Sequence, residues 1–460
     1  MEILKRKLSS FQIILLGFAG VILLGALILT LPISSKSHEW TSFIDALFTS
    51  TSAVCVTGLI VLDTATHWTI FGQIIILLLI QIGGMGVVTI AVSLAVASGK
   101  KIGLFSRETM KNAISAPNVS GIVRLTGFII KGIFLIEIIG ALIMLPVFCK
   151  DYGAEGIWMA VFHSVSAFCN AGFDLMGIKG NFSSLSYFAG FDIMGTKSGE
   201  FTSLTHYSAQ PVINITIMLL IIVGGIGFLV WEDICKHKWR IREYRTQSKL
   251  VLIVTAALIF FPAVYFFFFE CGDLPVTERI LASLFQSVTP RTAGFNTINL
   301  TAISDTGLYL MIILMLIGGS PGSTAGGMKT TTIAVLFSSA FSVFRKKDNA
   351  EVMKRRIDDE TVKTASAVFL MYITLFLVGG MAISTIENLP ITSCLYETAS
   401  AVGTVGLTLG ITPTLGSASK MILIMSMFFG RVGGLTLIYA AFGANKKQVA
   451  KLPADTIAVG

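Results

Sequence analysis

Charged residues are scarce in this sequence. Asp, Glu, Lys and Arg together make up 13% of the 460 residues, whereas an ordinary soluble domain carries roughly 25%. Hydrophobic residues account for 54%. A soluble domain could not bury that much apolar surface, so the excess must face lipid. This composition excludes a soluble enzyme and a disordered protein, and it predicts a polytopic membrane protein.

Cysteine is also rare, and its placement suggests neither a disulfide framework nor a metal site. The six cysteines are scattered, with no C-x-x-C motif and no paired histidines, so most are expected to be small apolar packing residues. No dinucleotide-binding fingerprint occurs. The segment Gly322–Lys329 differs from a phosphate-binding loop because Met328 separates Gly327 from Lys329. We therefore expect no catalytic residues, no covalent cofactor and no enzymatic activity.

The positive charges are unevenly distributed. The chain has 34 Lys and Arg against 26 Asp and Glu, a net charge of +8. Positive loops stay on the cytoplasmic side of a membrane, so we expect a multi-pass plasma-membrane protein with both termini and three internal loops in the cytoplasm. The two densest internal clusters suit lipid headgroups or an acidic partner surface, and their placement disfavours nucleic acid. The five clusters are Lys5–Lys7, Lys100–Arg124, Lys236–Lys249, Arg345–Lys363 and Lys446–Lys451.

Between successive clusters the sequence repeats one pattern four times: a long apolar span, an apolar run too short to cross a bilayer, and a second span. The short runs are Phe43–Val54, Ile157–Phe168, Ile280–Val288 and Ser393–Val402. The spans around them are Phe11–Leu31 and Ile70–Ala97, Leu125–Phe148 and Pro211–Trp231, Leu250–Phe269 and Gly307–Phe341, and Thr364–Ile386 and Ser417–Ala444. Only Gly307–Phe341 is expected to be broken in its middle. The pattern divides the chain into repeats 1–110, 111–240, 241–355 and 356–460, the last with a C-terminal tail.

Each short run leads to a polar stretch that ends in glycine: Gly58, Gly172, Gly294 and Gly406. A half-helix that enters the membrane directs the negative end of its dipole inward, and backbone carbonyls after it can replace the hydration shell of an alkali ion. Glycine permits the backbone angles that this requires. No carboxylate lies in the four stretches. The sequence thus predicts an all-α polytopic membrane protein with four span–pore-loop–span pseudo-repeats around a central ion pore. A carrier built on discontinuous helices would instead have inverted repeats.

A second glycine-rich element recurs in the second spans, at Gly83, Gly224, Gly318 and Gly430. Its distance from the first glycine is nearly constant except in the second repeat. There, an outer loop is duplicated, since the Gly-Phe-Asp-Leu-Met-Gly segment at 172–177 recurs as Gly-Phe-Asp-Ile-Met-Gly at 190–195. This duplication is either a tolerated surface insertion or a segment that shapes the pore entrance. Of the two equivalent glycines, Gly172 rather than Gly190 is expected to line the pore, because only Gly172 follows an apolar half-helix.

These motifs resemble those of the Trk/Ktr/HKT superfamily of potassium transporters, and the likeness is closest to the Ktr-type bacterial membrane subunit. The most specific segment is Gly318–Thr332, which resembles the family's intramembrane gate loop. The resemblance implies potassium uptake across the plasma membrane as the ion-translocating subunit, with sodium or mixed alkali-cation transport as the alternative. K+ or Na+ would be the transported or coupling ion. It also implies a homodimer on a cytosolic ring of nucleotide-binding, RCK-type regulatory subunits.

The same resemblance implies roles for individual residues. A glycine at the first filter position, Gly58, is similar to the potassium-selective branch of the family. The filter residues are Val56, Thr57, Gly58, Asn170, Ala171, Gly172, Thr292, Ala293, Gly294, Thr404, Val405 and Gly406. The gating residues are Gly318, Gly319, Ser320, Pro321, Gly322, Ser323, Thr324, Ala325, Gly326, Gly327, Lys329 and Arg431.

Charged residues within spans are costly and are often functional. Lys329 either lies near the pore or caps a broken helix. For Arg431 we expect an ion pair on the pore side or with a partner. Glu137 is expected to be a satisfied structural carboxylate without Lys131 as its partner. The gate loop itself is expected to have few apolar contacts and low local stability, as movable elements do.

Overall fold

A computed structural model describes residues 9–97, 103–114, 118–176 and 203–434, together with 436 and 440. Within this part, the structure is helical apart from loops and one two-stranded antiparallel hairpin, Glu351–Val352 with Arg355–Arg356. The all-α class is therefore confirmed. The duplicated part of the outer loop, the two terminal basic clusters and the last residues of the chain lie outside the described residues.

The helices follow the fourfold order of the sequence. The first unit contains α1 (Ser10–Thr30), α2 (Phe43–Val54), α3 (Ile70–Met85) and α4 (Val87–Ala97), and α5 (Leu104–Ile114) connects it to the second. The second contains α6 (Ile122–Tyr152), α7 (Glu155–Phe168), α8 (Pro211–Gly225) and α9 (Phe228–His237). The third contains α10 (Thr246–Tyr265), extended by a π-turn at Phe266–Glu270, then α11 (Val276–Val288), α12 (Asp305–Leu316) and α13 (Thr330–Phe344). The fourth contains α14 (Asp359–Glu387), α15 (Ile391–Gly403) and α16 (Ser417–Val432). Short 3-10 turns lie at Pro32–Ser34, Thr205–Tyr207, Ile241–Glu243, Leu300–Ala302 and Thr412–Thr414.

The first helix of each unit is long and apolar enough to cross a membrane. These four helices are Ser10–Thr30, Ile122–Tyr152, Thr246–Glu270 and Asp359–Glu387. A fifth crossing results if α8 and α9, which meet at an angle of 97°, form one broken span. At the start of α1, Ser9 and Gln12 form a reciprocal capping box, which satisfies two backbone amides that the helix leaves free.

Interruption of the second spans is more general than the sequence indicated. We expected a break only in the third unit, but α3 and α8 also end at glycine-rich positions, and so does α16 in the fourth. The residues that follow, Gly86, Gly227 and Gly433, have φ angles of 85°, 98° and 85°. These angles suit glycine and strain other residues.

The breaks lie where the short helices end. A Cβ atom at Gly83 would come less than 3.0 Å from the carbonyl oxygen of Val54, the last residue of α2. The glycines at the corresponding positions of units two and four meet the ends of α7 and α15 in the same way: Gly224 with Phe168 and Gly430 with Val402. In units one, two and four, the second glycine element is thus explained by the close approach of the second span to its own half-helix, whereas Gly318 of the third unit meets Gly326 and Gly327.

The four units close into a ring. Each second span packs against the short helix of the following unit: α3 against α7, α8 against α11, α12 against α15, and α16 back against α2. Because each unit leaves one end of the bundle and returns to it, α5, the loop 238–245 and the hairpin at 351–356 lie at that same end. We call this end the basic face.

Candidate ion pathway

The four glycines that follow the short helices lie around one axis. A Cβ atom at Gly58 would meet the carbonyl oxygen of Ala171 and the Cα atom of Gly172. Equivalent contacts run from Gly172 to Ala293, from Gly294 to Val405, and from Gly406 back to Thr57. Each of these Cβ-to-oxygen distances would be less than 3.0 Å. Residues that are far apart in the sequence are therefore brought together into a closed ring of backbone.

The three-residue stretches that end at these glycines, which we call the filter segments, share a backbone conformation. The glycines have φ angles of 88°, 67°, 81° and 96°. The residues two positions earlier, Val56, Asn170, Thr292 and Thr404, are also left-handed, with φ angles of 57°, 59°, 70° and 51°. Such an alternation lets successive carbonyls point to the same side of the segment. The side chains of all eight non-glycine residues are buried in protein, which leaves the backbone to line the axis.

Hydroxyl side chains near the ends of the short helices hold the filter segments. The Oγ atoms of Ser52 and Ser400 accept hydrogen bonds from the amides of Gly58 and Gly406, each at 3.0 Å. Ser166 Oγ donates to the Phe173 carbonyl at 2.6 Å. In the third unit, Thr289 donates to the Phe295 carbonyl. This role was not predicted from the sequence, although serine at one position in three of the four motifs was a usable signal.

Side-chain contacts also link neighbouring segments. The amide of Asn170 and the hydroxyl of Thr292 are hydrogen-bonded at 3.1 Å. With the amide oxygen turned toward Thr292, the amide nitrogen donates to the carbonyls of Ala167 and Ile221, at 3.1 and 3.2 Å. This orientation satisfies both ends of a buried amide. Arg291 points away from the ring, since its guanidinium donates to Thr255 on α10 at 3.3 Å.

Two buried carboxylates lie behind the ring. Glu397 on α15 accepts hydrogen bonds from the Leu409 amide at 3.1 Å and from the hydroxyls of Thr408 and Thr412. It therefore fixes the backbone that follows the fourth filter segment. Glu137 on α6 accepts from Gln81 Nε2 at 3.0 Å. The expectation that Glu137 is a satisfied carboxylate agrees with this contact. Glu397 was not singled out, although it is an acidic residue within a short apolar helix.

Residues Gly318–Lys329, which we call the intramembrane loop, join α12 to α13 directly against the filter. The hydroxyl of Thr324 donates to the Phe168 carbonyl at the end of α7, at 3.1 Å. A Cβ atom at Gly326 would collide with Thr404 of the fourth filter segment. The loop is also bonded to the glycine elements of other units, through its amides at Ser320, Thr324 and Gly327, at 3.0 to 3.2 Å.

The loop therefore has more hydrogen bonds to its surroundings than the expected low local stability suggested, and that stability itself stays a prediction. Residues 324–328 are buried, because the loop fills the space between the half-helix ends. Its tip is more exposed and faces away from the filter. There, the Phe228 amide of α9 donates to the Gly322 carbonyl at 2.6 Å, and Gly322 also lies against Ile114 at the end of α5. Pro321, Gly322 and Ser323, three of the predicted gating residues, thus form a tip that contacts α5 and α9 rather than the filter.

Arg431 connects the loop to the first unit. Its guanidinium donates to the carbonyl of Thr324 and to those of Gly83 and Gly84 at the end of α3. The expected ion pair is absent among the described residues, and carbonyl oxygens take its place. Lys329 caps the loop, because its Nζ donates to the carbonyls of Ala325 and Gly326, at 2.8 and 3.3 Å.

A cavity of about 260 Å³ lies on the side of the loop that faces away from the filter. Its walls come from all four units and from α5, including Phe18, Gly86, Phe228, Tyr372 and Arg431. The ring of filter segments, the intramembrane loop and the cavity therefore follow one another along a single path. In the structure described, the loop and the Arg431 guanidinium occupy this path.

Comparison with known proteins gives a consistent result. The family model described as cation transport protein, TrkH, matches residues 10–448. The chain is 39% identical to the potassium/sodium uptake protein NtpJ of Enterococcus hirae, over 99% of this chain and 98% of that protein. It is 36% identical to the Ktr system potassium uptake protein B of Bacillus subtilis, over 98% of this chain and 96% of that protein. The crystal structure of the potassium transporter TrkH from Vibrio parahaemolyticus superposes with a TM-score of 0.69 at 20% identity, covering 94% of this chain and 85% of that one; this likeness concerns the fold.

Proposed function

The chain belongs to the TrkH family of cation transport proteins, and we propose that it is the ion-translocating subunit of a potassium uptake system of the Ktr type in the plasma membrane. The observation that carries the proposal is the closed ring of four filter glycines. A ring of backbone carbonyls can replace the hydration shell of a dehydrated alkali cation without any covalent chemistry.

In this proposal, K+ binds to the carbonyls of the filter segments, from Val56–Gly58, Asn170–Gly172, Thr292–Gly294 and Thr404–Gly406. The four short helices end at these segments, so the negative ends of their dipoles add to the attraction for a cation. The hydrogen bonds that the amides of Gly58 and Gly406 donate to Ser52 and Ser400 hold the carbonyl spacing that selects K+ over Na+. The four-repeat division of the chain follows from the same arrangement, one filter segment for each repeat.

The intramembrane loop and Arg431 form the gate. A cation that leaves the filter meets the loop backbone and a guanidinium whose positive charge repels it. Transport requires the loop to withdraw from Phe168 and Thr404 and the guanidinium to leave Thr324. The loop tip contacts α5 and α9, which both lie at the basic face. A partner that displaces either helix there would therefore also displace the loop.

The basic face is proposed to lie in the cytoplasm, with both chain termini, as the positive-inside rule requires. The Ktr-type relatives are subunits of a system by name, which supports a multi-component assembly. We propose that two copies of the chain form a homodimer and that a cytosolic ring of nucleotide-binding subunits docks on the clusters Lys236–Lys249 and Arg345–Arg356.

A direct test is uptake of K+ and Na+ by transport-deficient cells that express the chain with and without a regulatory subunit. Restored K+ uptake that Na+ does not replace supports the proposal. K+ uptake indistinguishable from that of the empty vector under both conditions would refute it. Neutralising both basic clusters should abolish retention of the regulatory subunit in a pull-down.

A sodium or mixed-cation function is the second candidate. It is favoured by the name of the Enterococcus hirae relative, which includes both ions. Measurement of K+ uptake by proteoliposomes with and without external Na+ distinguishes the two. Uptake that depends on Na+, or Na+ influx at a comparable rate, supports the second candidate.

A further inference from the structure

A second cavity, separate from the ion path, opens at the basic face. It has a volume of about 520 Å³ and lies between the start of α6, the helix α9 and the start of α10. Three basic side chains line it: Arg124, Lys236 and Arg245. The one acidic residue in the lining is Glu232.

The charges in this cavity are not balanced. Arg245 is paired with Glu232 at 2.6 Å and also lies 3.6 Å from Asp233. Within the described part of the chain, neither Arg124 nor Lys236 forms a salt bridge, and both are exposed. Two unneutralised positive charges therefore face the same cavity, which favours an anionic ligand.

The uncharged part of the lining is polar at Asn118 and Ser120 and apolar on one wall. Ile122, Leu125 and Phe128 on α6 and Leu229 on α9 form this part of the wall. A free phosphate ion makes no favourable contact with such a wall, whereas a molecule with a charged head and a hydrocarbon tail matches both the basic and the apolar parts of the cavity. The size of the cavity also suits a headgroup.

The surface next to the cavity continues the same pattern. Above Phe128, α6 exposes a stripe of large apolar side chains, with Phe134 48%, Leu135 59% and Ile138 57% exposed. Lys131 is exposed within this stripe, and at a spacing of three or four residues it shares a helix face with Phe128 and Leu135. A lysine on a lipid-facing surface extends its ammonium group toward the membrane boundary, which is where the cavity opens.

We propose that this cavity binds the phosphate-bearing headgroup of an anionic phospholipid, with Arg124 and Lys236 contacting the phosphate and the acyl chains lying along the apolar stripe of α6. Arg245 stays with its acidic partners and shapes the wall. The site goes beyond the proposed transport function, because it shares no residue with the filter or the gate and faces the bilayer rather than the pore. It shares Lys236 and Arg245 with the proposed docking cluster Lys236–Lys249, so the test below also measures retention of the regulatory subunit.

The test compares binding of phosphatidylglycerol to the full chain in detergent micelles, measured by native mass spectrometry and by the lipid-dependent rise of the thermal unfolding midpoint. The double variant Arg124→Gln/Lys236→Gln should bind phosphatidylglycerol about 30-fold more weakly, since each basic residue near an anionic headgroup contributes roughly a factor of five. The matched control is Lys346→Gln/Lys354→Gln, which removes the same charge from exposed positions outside the cavity and should bind like the wild type. The charge-conserving variant Arg124→Lys/Lys236→Arg should retain most of the binding.

Further arms identify the source of the phosphate. Phosphatidylcholine, which has no net charge, should give little stabilisation, and 10 mM inorganic phosphate should not displace phosphatidylglycerol. Equal phosphatidylglycerol binding by the wild type and the Arg124→Gln/Lys236→Gln variant would overturn the proposal. So would stabilisation by inorganic phosphate alone, which would make this a site for free phosphate. Unchanged lipid binding with loss of the regulatory subunit in a pull-down would assign the cavity to an acidic protein surface instead.

Discussion

Lys420 at the start of α16 forms an ion pair with Asp45 in the first turn of α2, with 2.7 Å between Nζ and Oδ1. The two side chains are only 14% and 23% exposed. The pair joins the fourth unit to the first, so it closes the ring of units on the side of the filter away from the basic face. Asp45 also lies where the dipole of α2 favours a negative charge.

We expect Lys420→Met to lower the free energy of unfolding by about 1 kcal/mol, because it leaves Asp45 partly buried without its partner. Exchange of the charges in Asp45→Lys/Lys420→Asp should recover part of this loss. Chemical denaturation of the protein in micelles measures both. Lys347→Met is the control, since its ion pair with Glu351 is about half exposed and should contribute little. Equal effects of Lys420→Met and Lys347→Met would show that the ring closure does not depend on this pair.

Gly58→Ser should reduce the preference for K+ over Na+ about tenfold. The left-handed backbone costs a residue with a Cβ atom roughly 1–2 kcal/mol, and here that Cβ would also press on the carbonyl of Ala171. Competitive uptake of the two ions into proteoliposomes gives the ratio. Gly20→Ser is the matched control, because a Cβ atom at Gly20 meets nothing within 4 Å. An unchanged ratio in Gly58→Ser and in the equivalent changes at the other three filter glycines would contradict the filter assignment.

Thr324→Val should increase K+ uptake in the absence of a regulatory subunit by roughly five- to tenfold. The change keeps the shape of the side chain but removes the hydrogen bond to the Phe168 carbonyl, a loss of about 1–1.5 kcal/mol for the closed loop. Ion selectivity should stay close to that of the wild type. Ser323→Ala serves as the control, since its hydroxyl bonds only within the loop, to Ser320. If Thr324→Val left unregulated uptake at the wild-type level, the contact would not hold the gate closed.

Ser400→Ala should weaken ion selectivity about fivefold while leaving the chain folded. The hydroxyl accepts the amide hydrogen of Gly406, and its loss frees one filter segment from its half-helix at a cost of about 1 kcal/mol. Ser287→Ala is the comparison, because Ser287 bonds to Leu284 within its own helix. The ratio of K+ to Na+ uptake is the readout. A similar loss in both variants would indicate a general effect of the substitution rather than support of the filter.

Short-range patterns were enough to identify the helices that frame the pathway. The predicted run Phe43–Val54 is the observed helix α2, and the predicted span Phe11–Leu31 differs from α1 by one residue at each end. The signals are local. They are an apolar stretch of a given length, a serine that caps α1, and Gly58 a few residues after the end of α2. Such signals depend on residues a few positions apart, which the sequence displays directly.

The interruptions of α3 and α8 could not be read in the same way. Gly86 and Gly227 lie in apolar stretches that continue on both sides, and glycine alone is also found within regular helices. The bend follows from the end of a half-helix that occupies the space where a straight span would pass, as Val54 does beside Gly83.

The sequence by itself determined the membrane class, the four units, the short helices and the glycines that follow them, because length, hydrophobicity and the repeat are properties of neighbouring residues. Only the tertiary structure decided that the glycines close into one ring, that Arg431 binds carbonyls rather than a carboxylate, and that the intramembrane loop is firmly bonded. Those contacts join residues that are far apart in the sequence, such as Arg431 with Thr324. Their partners are backbone atoms, which every residue carries, so no residue type marks them. The packing of one unit against the next selects among these otherwise identical acceptors.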